Sequence, residues 1–222
     1  MTAQRTVEVG SARERVGRGA VAAGWRTAWL HALSRRVPVA LAALAGCGIG
    51  LRVGLIGHWD AYGALQLPLV FEAASAAVIT ITTASPLGEP ERVTGRLLPW
   101  LRLGAGATMT VAAVGALAAG AVGGHLAGGT LDVLRNMVGL VGIGLLCAAI
   151  LGGGLAWVGP TAYLIAGVYG LYSQWHPPAV TTPWLWPARP PHDLGGAICA
   201  CVVFACGLAI VTVRGARDAP GE

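Results

Sequence analysis

Six long apolar stretches constrain this chain more than any other feature of its sequence. An α-helix needs roughly 20 apolar residues to cross the hydrocarbon core of a bilayer. The stretches cover about residues 37–56, 67–84, 103–123, 136–151, 155–172 and 194–213. The pattern therefore predicts an all-α, polytopic membrane protein with six transmembrane helices, which together form one domain over 37–213.

The charged residues support this class of protein. They make up only 11% of the 222 residues, whereas soluble domains carry about 25%. All 15 basic residues are Arg, and Lys is absent. A Walker A phosphate loop ends in Lys, so the chain cannot bind ATP through such a loop of its own. No H-E-x-x-H or G-x-S-x-G motif occurs either, and we expect neither enzymatic activity nor catalytic residues.

The distribution of Arg predicts the orientation in the membrane. With the N-terminus inside, twelve Arg fall in cytoplasmic segments, and only Arg135 and Arg189 fall outside. Positive charge concentrates on the cytoplasmic side, so both termini should be cytoplasmic. The complete absence of Lys suggests a bacterium with a high-GC genome, and we therefore expect the bacterial cytoplasmic membrane.

The segments flanking the membrane domain are polar. Residues 1–18 are predicted to be a disordered cytoplasmic tail, and 214–222 form a second tail. Within 19–36, Val21, Trp25, Trp29 and Leu33 recur every four residues. This spacing predicts an amphipathic helix lying in the membrane interface, although a cytoplasmic helix packed on its own protein would show the same pattern.

Two charged residues fall within the apolar stretches, Arg52 in the first and Glu72 in the second. A charge inside a membrane is costly, so each needs a compensating interaction or a function. The two spans are antiparallel neighbours, and the charges lie at similar depth. One interpretation is an ion pair between the helices. The other is that Glu72 lines a translocation path or takes up a proton.

The second cytoplasmic loop, 85–102, combines charges with apolar anchors. Pro90 suits the first turn of a helix. The residues that a cytoplasmic partner could contact are Glu89, Glu91, Arg92, Arg96, Trp100 and Arg102. The simpler interpretation is an Arg-rich loop on the cytoplasmic side.

The predicted outer loops contain His58, His125, His176 and His192, together with three Asp residues. No two of these His residues have the i, i+3 or i+4 spacing of a local metal site, so we predict no metal ligand and no cofactor. The loop 173–193 is rich in Trp and Pro, which suggests a stiff lid over the bundle.

Two short stretches, Ser85-Pro86-Leu87-Gly88-Glu89-Pro90-Glu91-Arg92 and Arg135-Asn136-Met137-Val138-Gly139-Leu140, resemble segments of small actinobacterial ABC-type permeases. The layout as a whole resembles that of type-2 ABC exporter permeases. The resemblance implies that the region from Glu89 to Arg102 is a coupling helix seated in a separate nucleotide-binding ATPase. It also implies that Glu72 lies near the translocation path. Two permease subunits, identical or related, would form the pore within membrane lipid, and no nucleic-acid partner is expected.

Three other functions stay open at the level of sequence. The chain could be a gradient-driven transporter or channel with Glu72 as its coupling group. It could be a membrane enzyme that uses the outer His and Asp residues. It could also be an assembly or regulatory subunit that holds a partner through the same cytoplasmic loop.

Overall fold

The computed structural model describes residues 37–57, 61–82, 98–124, 126, 128–172 and 182–214. Six helical segments in these ranges are long and apolar enough to cross a membrane. Their α-helices are, in chain order, α1 (Val37–Leu55), α2 (Ala61–Thr82), α3 (Leu98–Ala121), α4 (Gly129–Leu151), α5 (Val158–Tyr172) and α6 (Leu194–Arg214). The predicted six-span helical fold is confirmed. The predicted interfacial helix 19–36 and the predicted tail 1–18 lie outside the described ranges. The predicted tail 214–222 begins at Arg214, which is the last residue of α6, and 215–222 lie outside the described ranges.

Helices α2 and α4 begin earlier than the apolar stretches predict. Helix α2 starts at Ala61 rather than near 67, and α4 starts at Gly129 rather than near 136. Backbone hydrogen bonding continues through polar residues such as Gln66 and Asp132, which lower the hydropathy without breaking a helix. As a consequence, Glu72 lies at the middle of α2.

Helix α3 also begins early, at Leu98. Pro99 is tolerated there because the first amides of a helix have no helical acceptor to lose. Trp100 and Arg102 are therefore continuous with α3 rather than parts of a separate loop, and the candidate membrane span within α3 begins at Arg102.

A glycine-rich link, Gly152-Gly153-Gly154, lies in the gap between the fourth and fifth apolar stretches and begins the connection from α4 to α5. Gly152 has φ of 97°, a conformation that L-residues with a side chain rarely adopt. A single 3-10 turn, Gly153–Leu155, follows and leads into α5. Gly152 thus ends α4 and allows the chain to reverse direction without an intervening loop.

Helix α4 is at the centre of the bundle. It packs against α2, α3, α5 and α6, and 61% of its span is buried, compared with 22% for α1 and α6. Helix α1 packs on α2 and α3 at the side of the bundle. Many large apolar side chains point outward, including Val39, Ile49, Val111, Ile165 and Ile198. Such a surface suits a lipid environment, in which only the polar groups need to be buried.

Candidate functional site

Glu72 is the most unusual side chain in the described structure. Only 1% of its surface is exposed, and neither carboxyl oxygen accepts a hydrogen bond. Its electrostatic neighbours are Asp132, Asn136 and Arg135, all on α4. A buried carboxyl group without a hydrogen bond is energetically costly, which marks this position as a candidate site.

The predicted ion pair between Arg52 and Glu72 is not formed. Arg52 donates a hydrogen bond to the carbonyl of Val122, just beyond the end of α3. Its guanidinium also lies beside Gly123. Unpaired carbonyls at a helix C-terminus attract cations, so Arg52 is held at the end of α3 and not by Glu72. Similar depth along two helices does not decide which face each side chain occupies.

The packing of α2 on α4 brings several buried polar groups to the same level. A Cβ added to Gly144 of α4 would collide with the side chain of Thr80 of α2. As the second and fourth consecutive spans, α2 and α4 cross in the same direction. Glu72 lies eight residues before Thr80 and Asn136 eight before Gly144, so Glu72 is level with Asn136. One turn further along, Ser75 is level with Gly139. The hydroxyl of Ser75 and the Oδ1 of Asn136 are also buried without a hydrogen-bond partner.

Arg135 connects the buried polar groups around Glu72 and Asn136 to the segment that precedes α6. Its guanidinium pairs with Asp132 and donates hydrogen bonds to the carbonyls of Pro190 at 2.7 Å and Arg189 at 3.2 Å. The Arg135 side chain is 3% exposed and that of Asp132 is 18% exposed. Asp132 is thus the side chain of this group that water reaches most easily.

The segment 182–193, here called the cap, folds back onto α4, α5 and α6. Trp186 is 2% exposed and stacks on Tyr163 of α5, with ring centroids 4.6 Å apart. The Tyr163 hydroxyl donates to the carbonyl of Trp184 at 2.6 Å. The prediction of a lid over the bundle agrees with this arrangement, but Trp186 lies inside the protein and not at the membrane interface.

Glycines form the seat of the cap. A Cβ added to Gly139 would collide with the Trp186 indole, and one added to Gly170 would collide with Leu185. A Cβ on Gly196 would lie 3.2 Å from the Cβ of Trp186. These glycines lie on three different helices, so the cap closes the bundle only because each helix lacks a side chain at the contact.

A second ion pair lies within the cap, at its junction with α6. Arg189 binds both carboxyl oxygens of Asp193, at 2.6 and 2.8 Å. Asp193 also accepts a hydrogen bond from the amide of Gly196 at 2.5 Å, the geometry of a helix N-cap. The hydrogen bonds from Arg189 and, to a smaller extent, the one from the Gly196 amide hold the pKa of Asp193 below its ordinary value.

The remaining predicted site residues are only partly described. Glu89, Glu91, Arg92 and Arg96 lie outside the described ranges. Trp100 is exposed near the start of α3, and Arg102 lines a small pocket with Val37, Thr82 and Val211 at the end of the bundle opposite the cap.

The described residues contain no group of three His, Cys, Asp or Glu side chains that could hold a metal ion. Of the four His residues in the predicted outer loops, only His192 lies in the described ranges.

Sequence reasoning identified Glu72 but missed Ser75, Asn136 and Trp186. The signal for Asn136 was present, because it is the chain's only Asn and lies next to Arg135 within an apolar region. Trp186 carried no such signal, since a Trp among prolines normally indicates an interfacial loop.

Comparisons with known proteins found no match: no family model, no curated protein and no solved structure is similar to this chain at a significant level.

Proposed function

We propose that this chain is the membrane-spanning permease subunit of an ABC-type exporter in the bacterial cytoplasmic membrane. ATP would be hydrolysed by a separate nucleotide-binding subunit, and two permease subunits would form the complete pathway. The observation that carries the proposal is the cap, which closes one end of a six-helix bundle over a buried polar site.

In this proposal the cap is the closure that opens and closes. It is held by discrete contacts, namely Arg135 to two carbonyls and Trp186 on Tyr163. A transporter must expose an internal site to one side of the membrane at a time, and rearranging such contacts achieves this. The missing Lys fits the same proposal, because a chain without a P-loop depends on a partner for ATP.

A gradient-driven transporter is the second candidate. The burial of Glu72 without a hydrogen bond favours it, because intramembrane carboxyl groups commonly couple transport to protons or ions. This function requires no ATPase partner, and that difference separates the two candidates experimentally.

The first test is affinity purification of the chain in mild detergent, with mass spectrometry of the proteins that accompany it. The exporter proposal predicts recovery of a nucleotide-binding ATPase. Reversing the charges of Glu91 and Arg96 together should abolish recovery, because both belong to the proposed coupling segment. The matched control reverses Arg217 and Asp218, which makes the same change of charge in the C-terminal tail and should leave recovery unchanged.

Purification of the chain without any ATPase would overturn the exporter proposal and favour the gradient-driven candidate. Equal loss of the ATPase in the coupling-segment variant and in the control would reject the proposed coupling segment, since the effect would then not depend on where in the chain the charges are reversed.

A further inference from the structure

We propose that the Glu72 carboxyl group is a proton-binding site that exchanges with the capped side of the bundle through Asp132. The observation behind this proposal is the buried, unpartnered carboxyl group at the middle of α2, level with Asn136 of α4. The proposal does not depend on an ATPase partner and holds for either candidate function.

The balance of charge around Glu72 argues for a bound proton. Arg135 is the only cation among the α4 neighbours of Glu72, and its guanidinium is already paired with Asp132. Because Asp132 and Arg135 form an ion pair, the two together offer Glu72 no net positive charge. An ionised Glu72 would therefore leave one uncompensated negative charge in a medium of low dielectric constant, which is strongly unfavourable. A proton on Glu72 makes the three side chains neutral together.

The other elements packed on α2 supply no counter-charge among the described residues. On α1, Arg52 is engaged by the Val122 carbonyl at the end of α3. On α3, Arg102 lies at the end of the bundle opposite the cap. On α5, the Tyr163 hydroxyl is a neutral donor bound to the Trp184 carbonyl. Each of these groups has its own partner, so none neutralises an ionised Glu72.

Asp132 provides the connection to water. Its side chain is partly exposed, whereas that of Glu72 is not. The side chain of Asn136 acts on both carboxyl groups, although it is outside hydrogen-bond geometry with Glu72. In the exchange step the O–H bond of Glu72 breaks, and the proton is taken up by the Asp132 carboxylate, which then releases it to water. Asn136 is on α4 one turn after Asp132 and level with Glu72, so it is a polar side chain along the proposed route.

Infrared difference spectroscopy on the full chain in lipid vesicles tests the proposal. At neutral pH, the wild type should show the C=O stretching band of a protonated carboxylic acid. The band should disappear in Glu72→Gln, which imitates the neutral side chain and should fold normally. Labelling the wild type with ¹³C-carboxyl glutamate should shift the band, and this result assigns it to Glu without relying on any variant.

Transfer to D₂O tests the route. The band of the wild type should shift as deuterium replaces the proton, and Asp132→Asn should slow the shift by about tenfold or more, the scale of a lost proton-transfer group. Asp218→Asn makes the same chemical change in the C-terminal tail, away from the cap and the route, and should leave the rate unchanged. Should Asp132→Asn fail to fold, Asn136→Leu replaces it, with the same slowing expected.

Three results would overturn the proposal: no protonated band in the labelled wild type, a band that persists in Glu72→Gln, or equal exchange rates in Asp132→Asn and the wild type. A band that sodium chloride removes at constant pH would also overturn it, because Glu72 would then bind Na⁺ in preference to a proton. None of these results alters the recovery of an ATPase, so the two proposals fail separately.

Discussion

Two charged side chains, Arg135 and Asp193, hold the cap on the helices. Arg135 acts from α4 through buried hydrogen bonds, whereas Asp193 acts at the start of α6 as an N-cap and as the partner of Arg189. Sequence alone indicated that both residues lie in or near loops on one side of the membrane. It could not indicate their partners, because hydrogen bonds to the Pro190 and Arg189 carbonyls depend on how the cap folds back.

Replacing Asp193 with Ala should lower the free energy of unfolding by about 1 kcal/mol, the usual contribution of an N-cap. Asp193→Asn should retain most of this contribution, because the amide oxygen still accepts the hydrogen bond from Gly196. Thermal unfolding in mild detergent measures both variants.

The same residue predicts a dependence on pH. Since the pKa of Asp193 is lowered in the folded state, its charge stabilises the fold above the unfolded value of about 3.9, and this contribution is lost as pH falls through the folded value. The stability difference between wild type and Asp193→Asn should therefore be constant from about pH 5 to 8, well above the reference pKa of Asp. It should shrink in more acidic solution. A difference that grows on acidification would contradict this role.

At the scale of helices, glycine decides how closely the elements pack. Gly50/Gly54 and Gly120/Gly124 have the four-residue spacing of small-residue helix-packing motifs, and a Cβ on each would meet a neighbouring helix. The closest backbone approach, however, joins Gly120 to Gly48, between α1 and α3. With 34 Gly in the chain, spacing alone could not distinguish Gly48 from the glycines that face open space.

Two neighbouring positions on α1 test this packing. A Cβ at Gly48 would lie 2.5 Å from the carbonyl oxygen of Ala116, whereas one at Gly46 would have nothing within 4 Å. Gly48→Val should destabilise the protein by about 1–3 kcal/mol, the usual cost of overpacking. Gly46→Val makes the same change in helix propensity and should be tolerated. Equal losses in thermal stability would show that α1 and α3 do not pack at Gly48.

At the scale of the whole molecule, the apolar stretches predicted the number and order of the spans, because membrane helices must satisfy their backbone within each segment. Hydropathy placed the helix ends less well, since Gln66 and Asp132 extend α2 and α4 beyond the apolar core. Glu72 was identified because a charge in a membrane needs a reason. Its partners were not, because α2 and α4 are separated in sequence by α3 and meet only in the folded bundle.

The proposed function depends on which side of the membrane carries the cap, and labelling with a membrane-impermeant maleimide measures this directly. The experiment uses a variant without the five native cysteines, into which one Cys is introduced at a time. His192→Cys places it at an exposed position of the cap, and Arg217→Cys places it in the C-terminal tail. In intact cells, reagent added outside should label position 192 and should label position 217 only after the membrane is opened. The reverse pattern would place the proposed ATPase-coupling segment outside the cell, where no ATP is available, and would contradict the exporter proposal.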